Sequence, residues 1–253
     1  LKKETVSEKL IIEAKHSFNK LLKTPEYQTI ISDNAQRKQL IELLRIQSKG
    51  VYLDLATGNG YVGFALAEQY PGCSVLGLDI ANEVIAENCK KAKELSLTNI
   101  DFRFFNGIIF PEFKMKFDGV VCRYALHHFP EIDETIKEID RAIKPGSRVI
   151  ISDAVRNEHD NEDFINKFQR LKKDGHVRMY TKPELVGFFE KHGFAEEESF
   201  YSEITFPREL SLQYKNLLET STVETKEKYL VSVRNNNIYL TFSILNIAFT
   251  KNP

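Results

Sequence analysis

Apolar side chains recur at three- and four-residue steps through the first 50 residues: Leu10, Ile11, Ala14, Phe18, Leu21 and Leu22 form one stripe, and Leu40, Ile41, Leu43 and Leu44 a second. That spacing predicts two helices separated at Pro25. "GVYLDLA" (50–56) breaks the rhythm with a continuous apolar run, as suits a strand buried on both faces of a parallel sheet. Glycines then lead into a helix in "GYVGFALAEQY". The alternation repeats, with strands predicted in "SVLGLDI", "IDFRFFNG", "FDGVVCRYAL" and "SRVIISDA", and helices in "ANEVIAENCKKAKELSL" and "EIDETIKEIDRAIK". In the second helix Ile132, Ile136, Ile139 and Ile143 keep helical spacing, and Lys144-Pro145-Gly146 supplies the stop. Such alternation predicts an α/β fold: a doubly wound, mostly parallel sheet with its ligand at the carboxyl ends of the strands.

The texture changes after Asp153. "VRNEHDNEDFINKFQRLKKDGHVRMYT" is polar with sparse apolar positions, "KPELVGFFEKHGF" reads as another sheet-flanking helix, and "EEESFYSEITF" as a sixth strand. Residues 208–235 are expected to be helical, and "NNNIYLTFSILNIAF" to close the chain as a strand.

Charge and cysteine content narrow the partners. Lys+Arg of 35 against Asp+Glu of 36 gives a formal charge of -1, which offers no global attraction to nucleic acid or to an anionic membrane. Cys73, Cys89 and Cys122 are scattered without metal or redox spacing, as expected of reduced thiols in a cytoplasmic protein. The amino terminus is charged, and no apolar run reaches membrane-spanning length.

The candidate chemistry begins at "DLATGNGYVGFALAEQ". Gly58-x-Gly60-x-x-Gly63, with Asp79 further on, matches the dinucleotide fingerprint. Asp54 argues against a pyrophosphate, because a carboxylate at the end of the first strand would face that anion. It suits an amino group or a sulfonium, both present in S-adenosylmethionine, and Asp79 can accept hydrogen bonds from the ribose hydroxyls. A nicotinamide dehydrogenase and an S-adenosylmethionine protein are both open at this point.

"VYLDLATGNGYVGFAL", "VLGLDI", "FFNG", "FDGVVCRYALHHF" and "IKPGSRVIISD" occur in the order found in class I S-adenosylmethionine-dependent methyltransferases. The chain resembles most the group that includes the quinone-biosynthesis enzymes. The resemblance implies a Rossmann-like sheet of seven strands, the last antiparallel, with a helical cap. It places Asp54, Ala56, Gly58 and Gly60 in the cofactor turn, Asp79 on the ribose, Ile80 along the adenine, Asn106 and Gly107 at the adenine edge, and Arg123 beside the methionyl part. Two positions depart from the family pattern: Ala56 stands where many members have glycine, and Asn106 where an aspartate is common.

The expected organisation is one methyltransferase domain over 1–253. It comprises an amino-terminal helical cap (1–49), a cofactor-binding core (50–153) and a substrate side (154–253) containing the insertion 208–235. The implied reaction is methyl transfer to an oxygen, nitrogen or carbon of a small-molecule acceptor, with other S-adenosylmethionine chemistry or cofactor binding alone as alternatives. A homodimer is left open.

Displacement at a carbon already activated by a sulfonium depends mostly on alignment and a dry site, and needs a base only if the acceptor arrives protonated. Tyr124, His127 and His128 in "RYALHHFP" are the candidate catalytic groups, though the histidines can equally just open the next loop. Arg156, His159, Arg170, Lys172, Lys173, His176, Arg178 and Tyr180 can either line the cap side or form a solvated face. Of these, Arg156, His176 and Arg178 are candidate acceptor ligands. Tyr27 and Tyr214 join them as rings able to close over a substrate, with Phe200, Tyr201 and Phe206 nearby and core packing as the alternative role.

Overall fold

Three helices, not two, precede the sheet in the computed structural model, which describes residues 5–110 and 113–253. Residues 1–4 of the charged amino terminus lie outside the described residues. Thr5 starts α1 (Val6–Leu21) with a reciprocal cap: its hydroxyl accepts from Glu8 N at 3.2 Å, and the Glu8 carboxylate accepts from Thr5 N at 2.7 Å. Pro25 opens α2 (Pro25–Ile31), at a position where an N–H would have no partner. Asp33 caps α3 (Asn34–Leu43) through Gln36 N.

Eight strands form one sheet: β1 (Val51–Leu55), β2 (Ser74–Asp79), β3 (Ile100–Phe104), β4 (Phe117–Arg123), β5 (Ile143–Ala154), β6 (Phe194–Glu209), β7 (Ser232–Arg234) and β8 (Asn237–Lys251). The order is β3-β2-β1-β4-β5-β8-β6, with β7 paired to β8. The first five are parallel to one another, whereas β8 runs antiparallel to both β5 and β6. The core is therefore the expected doubly wound arrangement with an antiparallel last strand, and β7 is an addition to it.

Helices α4 (Gly63–Gln69), α5 (Asn82–Glu94), α6 (Ile132–Ala142) and α8 (Lys182–Lys191) follow strands as the pattern predicts. Alternate strand residues feed two cores. Leu53, Val120, Ile151 and Ile247 belong to one, and Tyr52, Val121, Ile150 and Ala248 to the other. The isoleucine stripe of α6 is buried at Ile132, Ile136 and Ile139, but the helix ends at Ala142 and Ile143 already pairs with Phe117. Lys144-Pro145-Gly146 thus lies within the irregular start of β5, with Gly146 at φ +73°.

Two expectations for the late chain change. The polar stretch contains α7 (Phe164–Arg170), which buries Phe164, Ile165 and Phe168, and six polar residues of the stretch, Asp160, Asn166, Gln169, Asp174, His176 and Thr181, are buried too. The segment 208–235 is not helical throughout: β6 extends to Glu209, and then come α9 (Leu212–Thr220), α10 (Val223–Lys228) and β7. Asn235 and Asn236 hold φ of 50° and 57° between the paired residues Arg234 and Asn237, giving a tight hairpin into β8.

The pairing of β6 with β8 runs from Glu209↔Asn237 to Phe194↔Lys251, whereas β5 meets β8 only from Ile244 onward. The outer part of this ribbon therefore overhangs the carboxyl end of β5. That overhang forms a wall of the site.

Candidate active site

The chain leaves β1 through Ala56, a left-handed residue at φ 54°, and Gly58 and Gly60 follow at φ 51° and 75°. A left-handed alanine carries a steric cost that glycine avoids, which explains why glycine suits this turn better. Asp54 Oδ2 accepts from Gly63 N at 2.8 Å and Thr57 Oγ1 at 2.6 Å. Asp79 accepts from Gly58 N and Ala81 N, both at 2.8 Å. The N–H groups of Thr57 and Gly60 bond the carbonyls of Leu78 and Thr57. Five backbone donors around the turn are thus engaged internally, three of them by carboxylates.

Both acids are buried. Burial pushes Asp54 up to about 6 and also raises Asp79, against the lowering effect of their hydrogen bonds. No hydrogen bond reaches Asp54 Oδ1 from the described residues.

These groups line a first chamber at the carboxyl edge of the strands, with Ala56, Gly58, Ile80, Gly107 and Arg123 in its wall. A Cβ on Gly107 would sit 3.2 Å from Ile80 Cγ2 and 3.3 Å from Ile11 Cγ2, so the wall is tight there. Gly60 faces the Phe64 ring and Asn106 is exposed; neither lines the chamber. The carbonyl oxygen of Asn106 accepts from Ile108 N and Ile109 N at 3.0 and 2.9 Å, which leaves it turned to the backbone. Ile11, Ala14 and Phe18 of α1, with Tyr27 and Ile31 of α2, roof the chamber.

Arg123 is positioned by residues no sequence motif marks. Its Nε donates to Gln36 Oε1 at 2.8 Å and its Nη2 to the Ile31 carbonyl at 2.6 Å, and its guanidinium stacks 3.9 Å from the Tyr124 ring centroid. Tyr124 also donates its hydroxyl to Gln36 Oε1, at 3.1 Å. Gln36 is itself anchored to Ser202 and Asn246.

Phe18, Tyr27, Tyr124 and His128 line both this chamber and a second one that adjoins it. His127 faces this second space. Its Nδ1 lies 2.6 Å from Asp153 Oδ1 and its backbone N donates to Asp153 Oδ2 at 2.9 Å, while Nε2 makes no hydrogen bond with the described residues. With Asp153 accepting from Nδ1–H, the tautomer is set and Nε2 presents a lone pair. His128 differs: burial, then the neighbouring His127, holds it down at about 3, so it stays neutral. The position of Asp153 at the carboxyl end of β5 was the available signal for it.

The remaining candidates separate. Tyr27 lines both chambers and stacks on Phe206, and burial pushes its phenol up to about 12. His176 is buried behind His127, with Nε2 2.9 Å from Asn166 Oδ1, and lines neither chamber. Arg156 and Arg178 both pair with Glu184 away from the chambers. Tyr214 packs on Phe168, with ring centroids 4.5 Å apart. Tyr180 is core, His159, Arg170, Lys173 and Tyr201 are exposed, Phe200 packs beneath the sheet, and Lys172 and Phe206 line the second chamber. Gln169 and Arg208, which the sequence did not single out, line it as well. Among the described residues no cluster of His, Cys, Asp or Glu could hold a metal ion, and no helix is long and apolar enough to cross a membrane.

Comparison with known proteins agrees with this architecture. The family described as "Methyltransferase domain" matches residues 46–222. The uncharacterized methyltransferase YcgJ of Bacillus subtilis is 25% identical over 160 residues, 63% of this chain and 62% of that protein. Its crystal structure covers 87% of this chain and 100% of its own, with a TM-score of 0.76 and 20% identity. Demethylmenaquinone methyltransferase of Lactococcus lactis is 37% identical over 99 residues, 39% of each chain. Phosphoethanolamine N-methyltransferase 2 of Haemonchus contortus, solved with phosphomonomethylethanolamine and S-adenosylhomocysteine, covers 100% of this chain and 62% of its own, with a TM-score of 0.68 and 14% identity. By sequence the chain spans 62% or less of the length of these curated relatives, and the structural likenesses concern the fold alone.

Proposed function

The chain belongs to the methyltransferase domain family, and from that premise we propose that it binds S-adenosylmethionine in the first chamber and methylates a small molecule held in the second. The observation that carries this reading is the pairing of Asp54 and Asp79 at one turn. Two buried carboxylates with the turn's N–H groups already engaged repel a pyrophosphate and favour a ligand with a cationic amino-acid end and ribose hydroxyls. Ile80, Gly107 and Phe129 offer a flat apolar wall for a base.

When bound, the cofactor supplies a sulfonium methyl group to an oxygen, nitrogen or carbon nucleophile. The chain's own residues then align and dry the site. Phe18 and Tyr27 exclude water at the boundary between the chambers. His127 Nε2 takes the proton of the acceptor, and the imidazolium so formed stays beside Asp153. His128, held neutral, contributes shape and no proton transfer. Three free cysteines suit a reducing compartment, the cytoplasm.

Product analysis tests the reaction. Incubation with S-adenosylmethionine and a panel of small hydroxylated and amino compounds should give S-adenosylhomocysteine in step with a methylated product. Release of methylthioadenosine in its place would overturn the assignment to methyl transfer.

A further inference from the structure

The overhanging β6–β8 ribbon brings Ile204, Phe206 and Arg208, alternate residues of one strand face, to the wall of the second chamber. Arg208 is half-buried between aromatic and aliphatic walls, where a charge gains from a counter-charge because partial desolvation without one is costly. The chamber's other charges have partners. Lys172 Nζ lies 2.6 Å from Asp174 Oδ2. Asp153 accepts from His127 Nδ1 and from the backbone N atoms of His127 and Ala154. Arg208 has no such counter-charge: no carboxylate of the described residues lies within ion-pair distance, and its guanidinium meets only neutral groups, the Pro207 carbonyl at 3.0 Å, the Tyr214 hydroxyl and the Phe206 ring, 5.3 Å from its centroid. Its Nε is buried without any hydrogen-bond partner.

Three further orphans line the same space. Gln169 Oε1 and Asp174 Oδ1 are buried acceptors with no donor, and His128 Nδ1 is buried without a partner. Buried polar atoms without partners are rare in folded proteins, and four gathered around one cavity call for a polar occupant. The guanidinium requires an anion and offers it a planar donor fork, while the two oxygens require N–H or O–H groups.

We propose that the second chamber binds its acceptor through an anionic group, a carboxylate or a phosphate held by Arg208, and that the same molecule presents a hydroxyl or amine toward Gln169 and Asp174. Arg208 is then the residue that selects acidic acceptors over neutral ones. The aromatic walls of Phe18, Tyr27 and Phe206 fit a compact ring or short chain between the two polar ends. This assignment rests on the first chamber being the S-adenosylmethionine site.

Calorimetric titration of the full chain tests both, in order. The protein is first saturated with S-adenosylhomocysteine, and then titrated with 4-hydroxybenzoate, 4-hydroxyphenyl phosphate or the neutral 4-hydroxybenzamide. One or both anions should bind at least about tenfold tighter than the amide, the scale of one charge-assisted hydrogen bond, and the tighter anion identifies the natural group. Arg208→Gln should erase the preference and leave S-adenosylhomocysteine affinity intact, which also shows that the variant is folded. Arg208→Lys, keeping the charge without the fork, should retain part of it. Equal binding of acid and amide, no binding of either anion at millimolar concentration, or a preference that survives Arg208→Gln would overturn the proposal. Failure of S-adenosylhomocysteine to bind would instead overturn the reading of the first chamber.

Discussion

Asp54 does two things with one carboxylate. Oδ2 ties the turn to the start of α4 through Gly63, where a Cβ would come within 2.9 Å of it, and Oδ1 remains for a ligand. Because burial raises its pKa from 3.8 to about 6, the folded chain binds a proton more readily than the unfolded one between those values. The contribution of Asp54 to stability therefore falls as pH rises from about 4 to about 6. Binding of a cationic ligand should strengthen over the same window, since only the ionised acid attracts it. S-adenosylhomocysteine titrations from acid to neutral pH should show this rise for the native chain and lose it in Asp54→Asn; a rise that persists in the variant would assign it elsewhere. At the second residue of interest, His127→Asn should slow S-adenosylhomocysteine formation by about 10²–10⁴-fold while leaving cofactor affinity unchanged. Equal loss in His128→Asn with none in His127→Asn would exchange their roles.

At the scale of elements, the sequence showed the strands and helices that carry the cofactor half, and of the later half it showed α8, β6 and β8 but not α7 or the mixed elements of 208–235. "VYLDLATGNG" and "VLGLDI" are legible because a buried strand and a turn of glycines have few other uses. The stretch from 155 to 181 was not, because several of its polar residues, Asp160, Asn166 and Asp174 among them, are buried inside the fold instead of facing water. Asp160 is the clearest case: fully buried, it accepts from Phe164 N, Ile165 N and the Tyr229 hydroxyl at 2.9, 3.1 and 2.8 Å, capping α7 and tying it to the end of α10. Burial, and after it that last bond, raises the Tyr229 phenol far above its usual range. Asp160→Ala leaves these donors unpaired and should lower unfolding stability by about 2–4 kcal/mol in a denaturant titration, whereas a loss under about 1 kcal/mol would mean that water replaces the carboxylate. The length of β6 was missed for a related reason. Its alternation of polar and apolar residues stops at Phe206, and Pro207 with the charged Arg208 and Glu209 resembles a strand end, although pairing with β8 continues to Glu209.

Over the whole molecule, the two chambers exist because elements distant in sequence meet at one edge of the sheet. The α1 helix supplies the roof, β1 and β2 the acids, β4 the histidine loop, β5 its aspartate, and the overhanging ribbon the far wall. Gly175 seats the roof, since a Cβ there would lie 2.4 Å from the Leu10 carbonyl and 2.7 Å from the Ala14 side chain. None of this juxtaposition follows from periodicity, which is why Gln36, Gln169 and Arg208 carried no signal while Asp54 and Asp79 did. The central claim is that the glycine turn serves a sulfonium nucleoside and not a dinucleotide. It is tested most directly by titrating the native chain, in parallel, with S-adenosylhomocysteine and with NAD. Saturable binding of S-adenosylhomocysteine, weakened strongly by Asp79→Asn and undisturbed by excess NAD, is the expected result; saturable binding of NAD that displaces S-adenosylhomocysteine would contradict it.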